Sequence, residues 1–274
     1  MGSEAHLIIY TDLDGTLLDH ETYSFGLAQE ALKEVERRGI PLVLCTSKTR
    51  AEVEQYRQLL NNHDPFIVEN GGATFIPKGY FAFAYPYQKE IAEYHVIEAG
   101  IPYPQLVAAL NMAREESGVK VVGFSDLSAE EVARLTGLLP EEARLAKERE
   151  YDEPFLVHGS EEEAERVKVL LRKQGFLCTQ GGRFDHLTGR NDKGRAVSTL
   201  TGLFQQAWGR VRTVGIGDSQ NDLPMLRTVD VAILVQRPDE THDPTVRVPN
   251  LIRVRGIGPQ GWRTAVLDLL VRQD

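Results

Sequence analysis

Tyr10-Thr11-Asp12-Leu13-Asp14-Gly15-Thr16-Leu17-Leu18 is the stretch on which the reading of this 274-residue chain turns. It completes an apolar run, Leu7-Ile8-Ile9-Tyr10, the pattern of a parallel strand buried on both faces. Gly15 lets the backbone leave that strand sharply. Two carboxylates, Asp12 and Asp14, therefore stand at the carboxyl end of a strand, where open α/β sheets place their ligands. A spacing of two in extended backbone keeps both side chains on one side. Like charges so close repel each other. A divalent cation with oxygen ligands offsets the repulsion, and Mg2+ is the usual ion where phosphate is handled. The plainer reading is a metal-free turn at Asp14-Gly15.

A second buried strand is expected at Ile40-Pro41-Leu42-Val43-Leu44-Cys45, after a helix over Gly26 to Arg38 with Leu27, Leu32 and Val35 on its inner side. It ends in Thr46-Ser47-Lys48-Thr49-Arg50, and Thr49 with Glu52 forms a capping box for the next helix. Hydroxyls and amides beside a helix N-terminus suit a phosphate. Thr46 is the candidate contact, against the alternative of a hydroxyl bonded to its own loop. Lys48 beside it is a candidate for the substrate. Phe66-Ile67-Val68 reads as a strand and leads into Asn70-Gly71-Gly72, a sequence suited to close approach of a ligand or to an ordinary turn. Ala73 to Ile76 and Tyr80 to Tyr85 read as a hairpin near the sheet edge.

Residues 87–189 have another character, alternating amphipathic helices with short strands. They read as an α+β unit inserted between residues 1–86 and 190–274. Arg149 and Arg183 within it are each suited to clamp a carboxylate through two parallel hydrogen bonds. The alternative for both is a solvated charged face. His186, on a strand, is a weaker candidate for the same substrate.

The first unit resumes at Arg190-Asn191-Asp192-Lys193-Gly194. Asp192 is placed to cap a helix running to about Trp208. Lys193 then falls in the first turn, the wrong end of the helix dipole for a cation. A residue that breaks a local rule is a candidate for function. Another buried strand, Val211 to Ile216, leads into Gly217-Asp218-Ser219-Gln220-Asn221-Asp222, and Pro224 sets the next helix start near Asp222. Trp262, Val266, Leu267 and Leu270 mark the inner side of a closing helix over Gly258 to Gln273.

Composition bounds the partners. Hydrophobic residues make up 42% and charged residues 26%, the balance of a globular chain. The formal charge of −9 opposes general nucleic-acid binding. No apolar run reaches membrane-span length, and no secretory signal is expected at the N-terminus. Cys45 and Cys178 lack a C-x-x-C context, so reduced thiols and a cytoplasmic location are expected. The chain is expected as a monomer or homodimer.

The D-x-D-G-T string of Asp12 to Thr16 resembles the first motif of the haloacid dehalogenase superfamily of phosphotransferases. Thr46 resembles its second motif, Lys193 its third, and the G-D-x-x-N-D-x-x-M-L string from Gly217 its fourth. The resemblance implies a Rossmann-like α/β core with a parallel sheet and an inserted cap domain. It implies Asp12 as nucleophile, Asp14 as acid and base, and Lys193 as the neutralising cation. It also implies Mg2+ held by Asp12, Asp14 and Asp218, with Asn221 and Asp222 binding it or orienting its waters. Thr46-Ser47-Lys48-Thr49-Arg50, the string Arg149 to Phe155, Gly182-Arg183-Phe184, Val235 to Pro238 and Gly258 to Trp262 narrow the likeness to mannosyl-3-phosphoglycerate phosphatases. That implies a small anionic sugar phosphate as substrate, the glucosyl analogue included. A mutase or phosphatase of another sugar phosphate would carry the same motifs. A glycosyltransferase would use a D-x-D to hold a nucleotide sugar, but would need neither Lys193 nor Asp218. A non-catalytic ligand-binding protein fits least, because no motif position is lost.

Overall fold

Leu7, Ile8, Ile9 and Tyr10 are all buried in the computed structural model, which describes residues 5–181 and 184–271. The unbroken apolar run is explained by position: strand β1 (His6–Thr11) has a core on each face. Alternate side chains part between the two. Leu7 and Ile9 pack with Ala31, Val35, Trp262 and Val266, while Ile8 and Tyr10 pack with Val197, Leu200, Phe204 and Met225.

After β1 come α1 (Gln29–Arg37), β2 (Leu42–Leu44), α2 (Arg50–Leu59), β3 (Phe66–Val68), β4 (Ala73–Pro77), β5 (Lys89–Ile91) and β6 (Tyr94–Glu98). The middle of the chain forms α3 (Tyr103–Ser117), β7 (Lys120–Gly123), α4 (Ala129–Thr136), α5 (Pro140–Ala146), β8 (Asp152–His158), α6 (Glu161–Lys173), β9 (Leu177–Gly181) and β10 (Phe184–Thr188). The last third holds α7 (Lys193–Trp208), β11 (Val211–Gly217), α8 (Leu223–Thr228), β12 (Val231–Gln236), β13 (Ile252–Ile257) and α9 (Pro259–Val271).

The first sheet is parallel, in the order β13-β12-β11-β1-β2. The chain leaves β1 for β2 on one side and later returns as β11 on the other. That reversal opens a crevice beyond the carboxyl end of β1. A bridge between Cys45 and Ile67 attaches β3, from which an antiparallel sheet, β3-β4-β6-β5, continues. A third sheet, antiparallel in the order β7-β8-β10-β9, belongs to the middle of the chain. Leu106 and Leu110 of α3, with Val167 and Leu171 of α6, pack against its Val121, Phe155 and Leu187. The α/β class, with a parallel-sheet core and an added α+β unit, is therefore present as the sequence implies.

Three local expectations change. Tyr80 to Tyr85 form no strand. Their rings stack edge to face, Tyr80 and Phe81 against Phe204 of α7, and that packing replaces a ladder. The partner of β4 is β6, and β5 and β6 extend the β3–β4 sheet although they follow residue 87. Leu27 is 62% exposed, in a short 3-10 turn before α1, and Ala28, Ala31 and Val35 make the inner face instead. Both cysteines are free, and no helix among the described residues is long and apolar enough to cross a membrane.

Candidate active site

Three neighbouring strands of the parallel sheet deliver the acidic and hydroxyl side chains. Asp12 follows β1, Asp218 follows β11, and Thr46 follows β2 just beyond Cys45. The backbone N–H of Asp12 donates to the Ile216 carbonyl (2.9 Å), and that of Cys45 to the Thr11 carbonyl (2.8 Å), so the three ends are held in register. Gly15 has φ +71, and a Cβ there would come within 3.0 Å of Asp218 Oδ2. Glycine thus supplies both the left-handed turn and the room for Asp218.

Lys193 enters from the first turn of α7, whose N-cap Asp192 accepts from the Arg195 N–H. Its ammonium is fully buried and lies 2.7 Å from Asp12 Oδ1 and 2.7 Å from Asp222 Oδ1. Burial by itself would lower the lysine pKa, but Asp12 and Asp222 more than offset it and hold the ammonium charged. Asp222 Oδ2 accepts from the N–H groups of Asp218 and Ser219, which fixes the loop that carries Asp218. Thr16 Oγ1 donates to Asp218 Oδ1 at 3.3 Å.

Asp12, Asp218 and Asp222 offer carboxylate oxygens within 4.8 Å of one another. Three carboxylates face a single ammonium there, so negative charge is in excess. Burial, and then Asp222, push the Asp218 carboxyl up to about 7. Burial and Asp222 also raise Asp12 well above the usual carboxylate range. An all-oxygen cluster with negative charge in excess suits a hard divalent cation with bonds of about 2.1 Å. Asn221 Oδ1 accepts from Ser219 Oγ (2.7 Å), and the side chain lines the cleft beside this cluster.

Asp14 turns the other way. Its Oδ1 is 3.0 Å from Lys48 Nζ, and its side chain is 37% exposed. Lys48 is buried, lies 3.4 Å from Glu52 Oε1, and sits over the ring of Tyr23. Burial opposes its charge, while Asp14 and Glu52 restore it and raise its pKa. Glu52 is thus more than half of a capping box. Nothing in its sequence position beyond the i, i+4 spacing from Lys48 announces the second role. Thr46 is fully buried, and its Oγ1 accepts from the Lys48 N–H (3.2 Å).

The middle unit reaches this rim at Arg149. Its Nη1 donates to the Ser47 carbonyl and its Nε to the Ala146 carbonyl, each at 2.8 Å. Thr49 Oγ1 donates to the Leu145 carbonyl at 2.9 Å. Fully buried Glu69 accepts from the N–H groups of Glu150 and Tyr151, a contact with no signature in the sequence. The room afforded by Gly71 and Gly72 is filled by the chain itself. A Cβ on Gly71 would meet the Asp192 carbonyl oxygen at 2.2 Å, and one on Gly72 would meet Tyr151 Cβ at 2.4 Å. Asn70 donates to Asp152 Oδ2 (3.3 Å), and His186 Nδ1 lies 2.8 Å from the same oxygen. Gly182 and Arg183 lie outside the described residues.

Fold and acidic cradle together define a class, and residues 9–111 match the haloacid dehalogenase-like hydrolase family. The chain is 48% identical over 263 residues to a glucosyl-3-phosphoglycerate/mannosyl-3-phosphoglycerate phosphatase of Methanococcoides burtonii, covering 96% of this chain and 97% of that one. It is 40% identical over 228 residues to the mannosyl-3-phosphoglycerate phosphatase of Pyrococcus furiosus, covering 83% and 90%. Among solved structures, one from Thermoplasma acidophilum superposes with a TM-score of 0.69 at 18% identity, covering 98% of this chain and 100% of that one. The sucrose-phosphatase of Synechocystis superposes with a TM-score of 0.60 at 13% identity, covering 97% and 98%, a likeness of fold alone. The chain belongs to the haloacid dehalogenase-like hydrolases and, among them, to the family of the mannosyl-3-phosphoglycerate phosphatases.

Proposed function

We propose that this chain is a Mg2+-dependent phosphatase that hydrolyses mannosyl-3-phosphoglycerate, and glucosyl-3-phosphoglycerate with it, through an aspartyl-phosphate on Asp12. The observation that carries the reading is the meeting of Asp12, Lys193, Asp218 and Asp222, drawn from distant segments, in one buried cradle. The names of the relatives that match nearly the whole chain supply the substrate.

Asp12 attacks phosphorus and forms an acyl phosphate, dividing one difficult displacement into two. Lys193 lies against the attacking carboxylate and is positioned to balance the phosphoryl oxygens. Thr46 supplies a hydroxyl at the end of the neighbouring strand. Asp14 gives a proton to the leaving glycerate oxygen and then takes one from the attacking water. Asp12, Asp218 and the Asp14 carbonyl would hold Mg2+, which when bound supplies Lewis-acid stabilisation of phosphoryl charge. Asp222, with both oxygens engaged, keeps Lys193 and the Asp218 loop in place.

Residues 87–189 serve as the lid over this site, except that β5 and β6 move with the core sheet. Lys48 and Arg149 stand at the lid-facing rim, where a glycerate carboxylate would compete with Asp14 and Ser47 for them. His186 belongs to the same lid, Asn70, Gly71 and Gly72 shape the floor beneath it, and Arg183 stands as a substrate contact on its sequence alone. A cytoplasmic location accords with the two free thiols.

Phosphate release from the mannosyl and glucosyl substrates, measured side by side, tests the reading. Turnover of either, lost in Asp12→Asn, is expected. Failure on both, with turnover of some other sugar phosphate, overturns the substrate assignment.

A further inference from the structure

Asp14 is the acid and base of the proposed reaction, yet its carboxylate is not among the oxygens that Asp12, Asp218 and Asp222 bring together. It is drawn instead to Lys48 Nζ, 3.0 Å away. To serve a leaving oxygen on a phosphoryl group at Asp12, Asp14 must give up this pair.

The two carboxylates on Lys48 are held very differently. Glu52 is 7% exposed and has both oxygens engaged, Oε1 with Lys48 at 3.4 Å and Oε2 accepting the Thr49 N–H at 2.9 Å. Asp14 is 37% exposed, and its carboxylate has no other ion-pair or hydrogen-bond partner among the described residues. Glu52 is therefore the fixed partner and Asp14 the exchangeable one. The rings of Tyr23 and Tyr56 stand against the ammonium on its remaining sides. Only 7% of the Lys48 side chain is accessible, so no ligand adds to it; one reaches it by taking the place of Asp14. That substitution suits a carboxylate, because the buried ammonium then keeps two anionic partners throughout. A neutral hydroxyl brings no charge with which to displace Asp14. The Lys48 N–H also donates to Thr46 Oγ1, the proposed phosphate contact, at 3.2 Å. One residue thus joins the phosphate end to the ammonium, and in a 3-phosphoglycerate a single carbon separates the phosphorylated carbon from the carboxylate.

We propose that the substrate's carboxylate arms the enzyme by ion-pair exchange: it replaces Asp14 on Lys48 and so frees Asp14 for the leaving oxygen. Lys48 becomes a specificity-determining residue, because a phosphate ester without a carboxylate leaves Asp14 parked. Glu52 is the positioning residue that keeps Lys48 in place during the exchange. No covalent bond changes in this step. It rests on the phosphatase reading above and deepens it.

The test divides the substrate into two pieces. Methyl phosphate supplies an ester with an alcohol leaving group and no carboxylate, and acetate supplies the carboxylate, with chloride at equal ionic strength as control. In the unaltered protein acetate is expected to raise kcat for methyl phosphate by about threefold or more, with little change in KM, and chloride to have no such effect. The full-length double variant Lys48→Met/Glu52→Gln removes the ammonium without stranding a buried carboxylate, and Gln at that position still completes the capping box. In it kcat/KM for mannosyl-3-phosphoglycerate falls by about tenfold or more, kcat for methyl phosphate rises, and the response to acetate disappears. No activation by acetate in the unaltered protein, activation that persists in the double variant, or a parallel loss of both substrates overturns the exchange. The acetate experiment decides even if the variant does not fold. If the unaltered protein releases phosphate from neither glycosylated substrate, the phosphatase reading itself fails; if it does so but ignores acetate, only the exchange fails.

Discussion

Lys193 Nζ stands 2.7 Å from Asp12 Oδ1 across 181 residues of chain, with both side chains buried. The pair is the electrostatic keystone of the cradle, since this ammonium is the one cation in contact with its carboxylates among the described residues. Lys193→Met leaves three neighbouring carboxylates uncompensated. Removing one partner of a buried pair costs about 3–5 kcal/mol, so the melting temperature of the metal-free protein falls. Loss of one charge-stabilising group lowers kcat on the order of 10²–10³-fold. Calorimetry with chelator and phosphate release measure the two effects. An unchanged melting temperature would contradict this account.

Asp218 predicts how stability depends on pH. Its carboxyl is pushed from 3.8 to about 7 by burial and by Asp222, so the folded protein keeps a proton that the unfolded chain releases. The contribution is fully present below about pH 4 and is lost as pH rises through about 7. The metal-free melting temperature therefore declines across that window. Added Mg2+ raises it more at pH 8 than at pH 5, because the ion competes with the proton. Asp218→Asn flattens the decline and shrinks the Mg2+ gain. Melting curves with and without chelator test all three statements.

Glu69 predicts a mechanical link between the core and the middle unit. Its carboxylate receives the N–H groups of Glu150 and Tyr151. Glu69→Ala strands both donors, and each buried unpaired group costs about 1–3 kcal/mol. Glu69→Gln keeps an acceptor oxygen and loses less. Denaturant midpoints rank the variants, and amide exchange at Tyr151 is expected to accelerate in Glu69→Ala.

Gly71 predicts a steric effect on the lysine. Its φ is +85, and a Cβ would lie 2.2 Å from the carbonyl oxygen of Asp192, next to Lys193. Gly71→Ala is expected to lower both activity and melting temperature. Gly79 has a similar φ of +81 with nothing within 4 Å of the added Cβ. Gly79→Ala therefore shows backbone strain alone, a cost of about 1 kcal/mol, with activity kept. Equal effects of the two substitutions would refute the steric argument.

The parts of this site visible in the sequence are those whose chemistry is local. The Thr49–Glu52 capping box forms as read, because both reciprocal bonds span three residues. Asp192 caps α7 for the same reason. The strand β1 was legible because burial on both faces leaves an unbroken apolar run. The hairpin of β5 and β6 was not. Its turn places Ala92 at φ 47, a conformation that alanine does not advertise. Tyr80 to Tyr85 have the aromatic content of a strand, yet the rings of Tyr80 and Phe81 are claimed by Phe204, far along the chain.

Sequence alone determined the alternation of strands and helices, the acidic residues at strand ends, and the lysine set against its helix dipole. These follow from burial period, turn chemistry and caps, all acting within a few residues. Tertiary structure decided which carboxylates Lys193 neutralises, that Lys48 is held by Asp14 and Glu52, that Glu69 grips Tyr151, and that the amide oxygens of Asn70 and Asn191 are buried without donors among the described residues. Each of these depends on side chains brought together by β11 pairing with β1 and by the middle unit docking on the rim. Coulomb and hydrogen-bond energies depend on distance in space, which one-dimensional order does not specify.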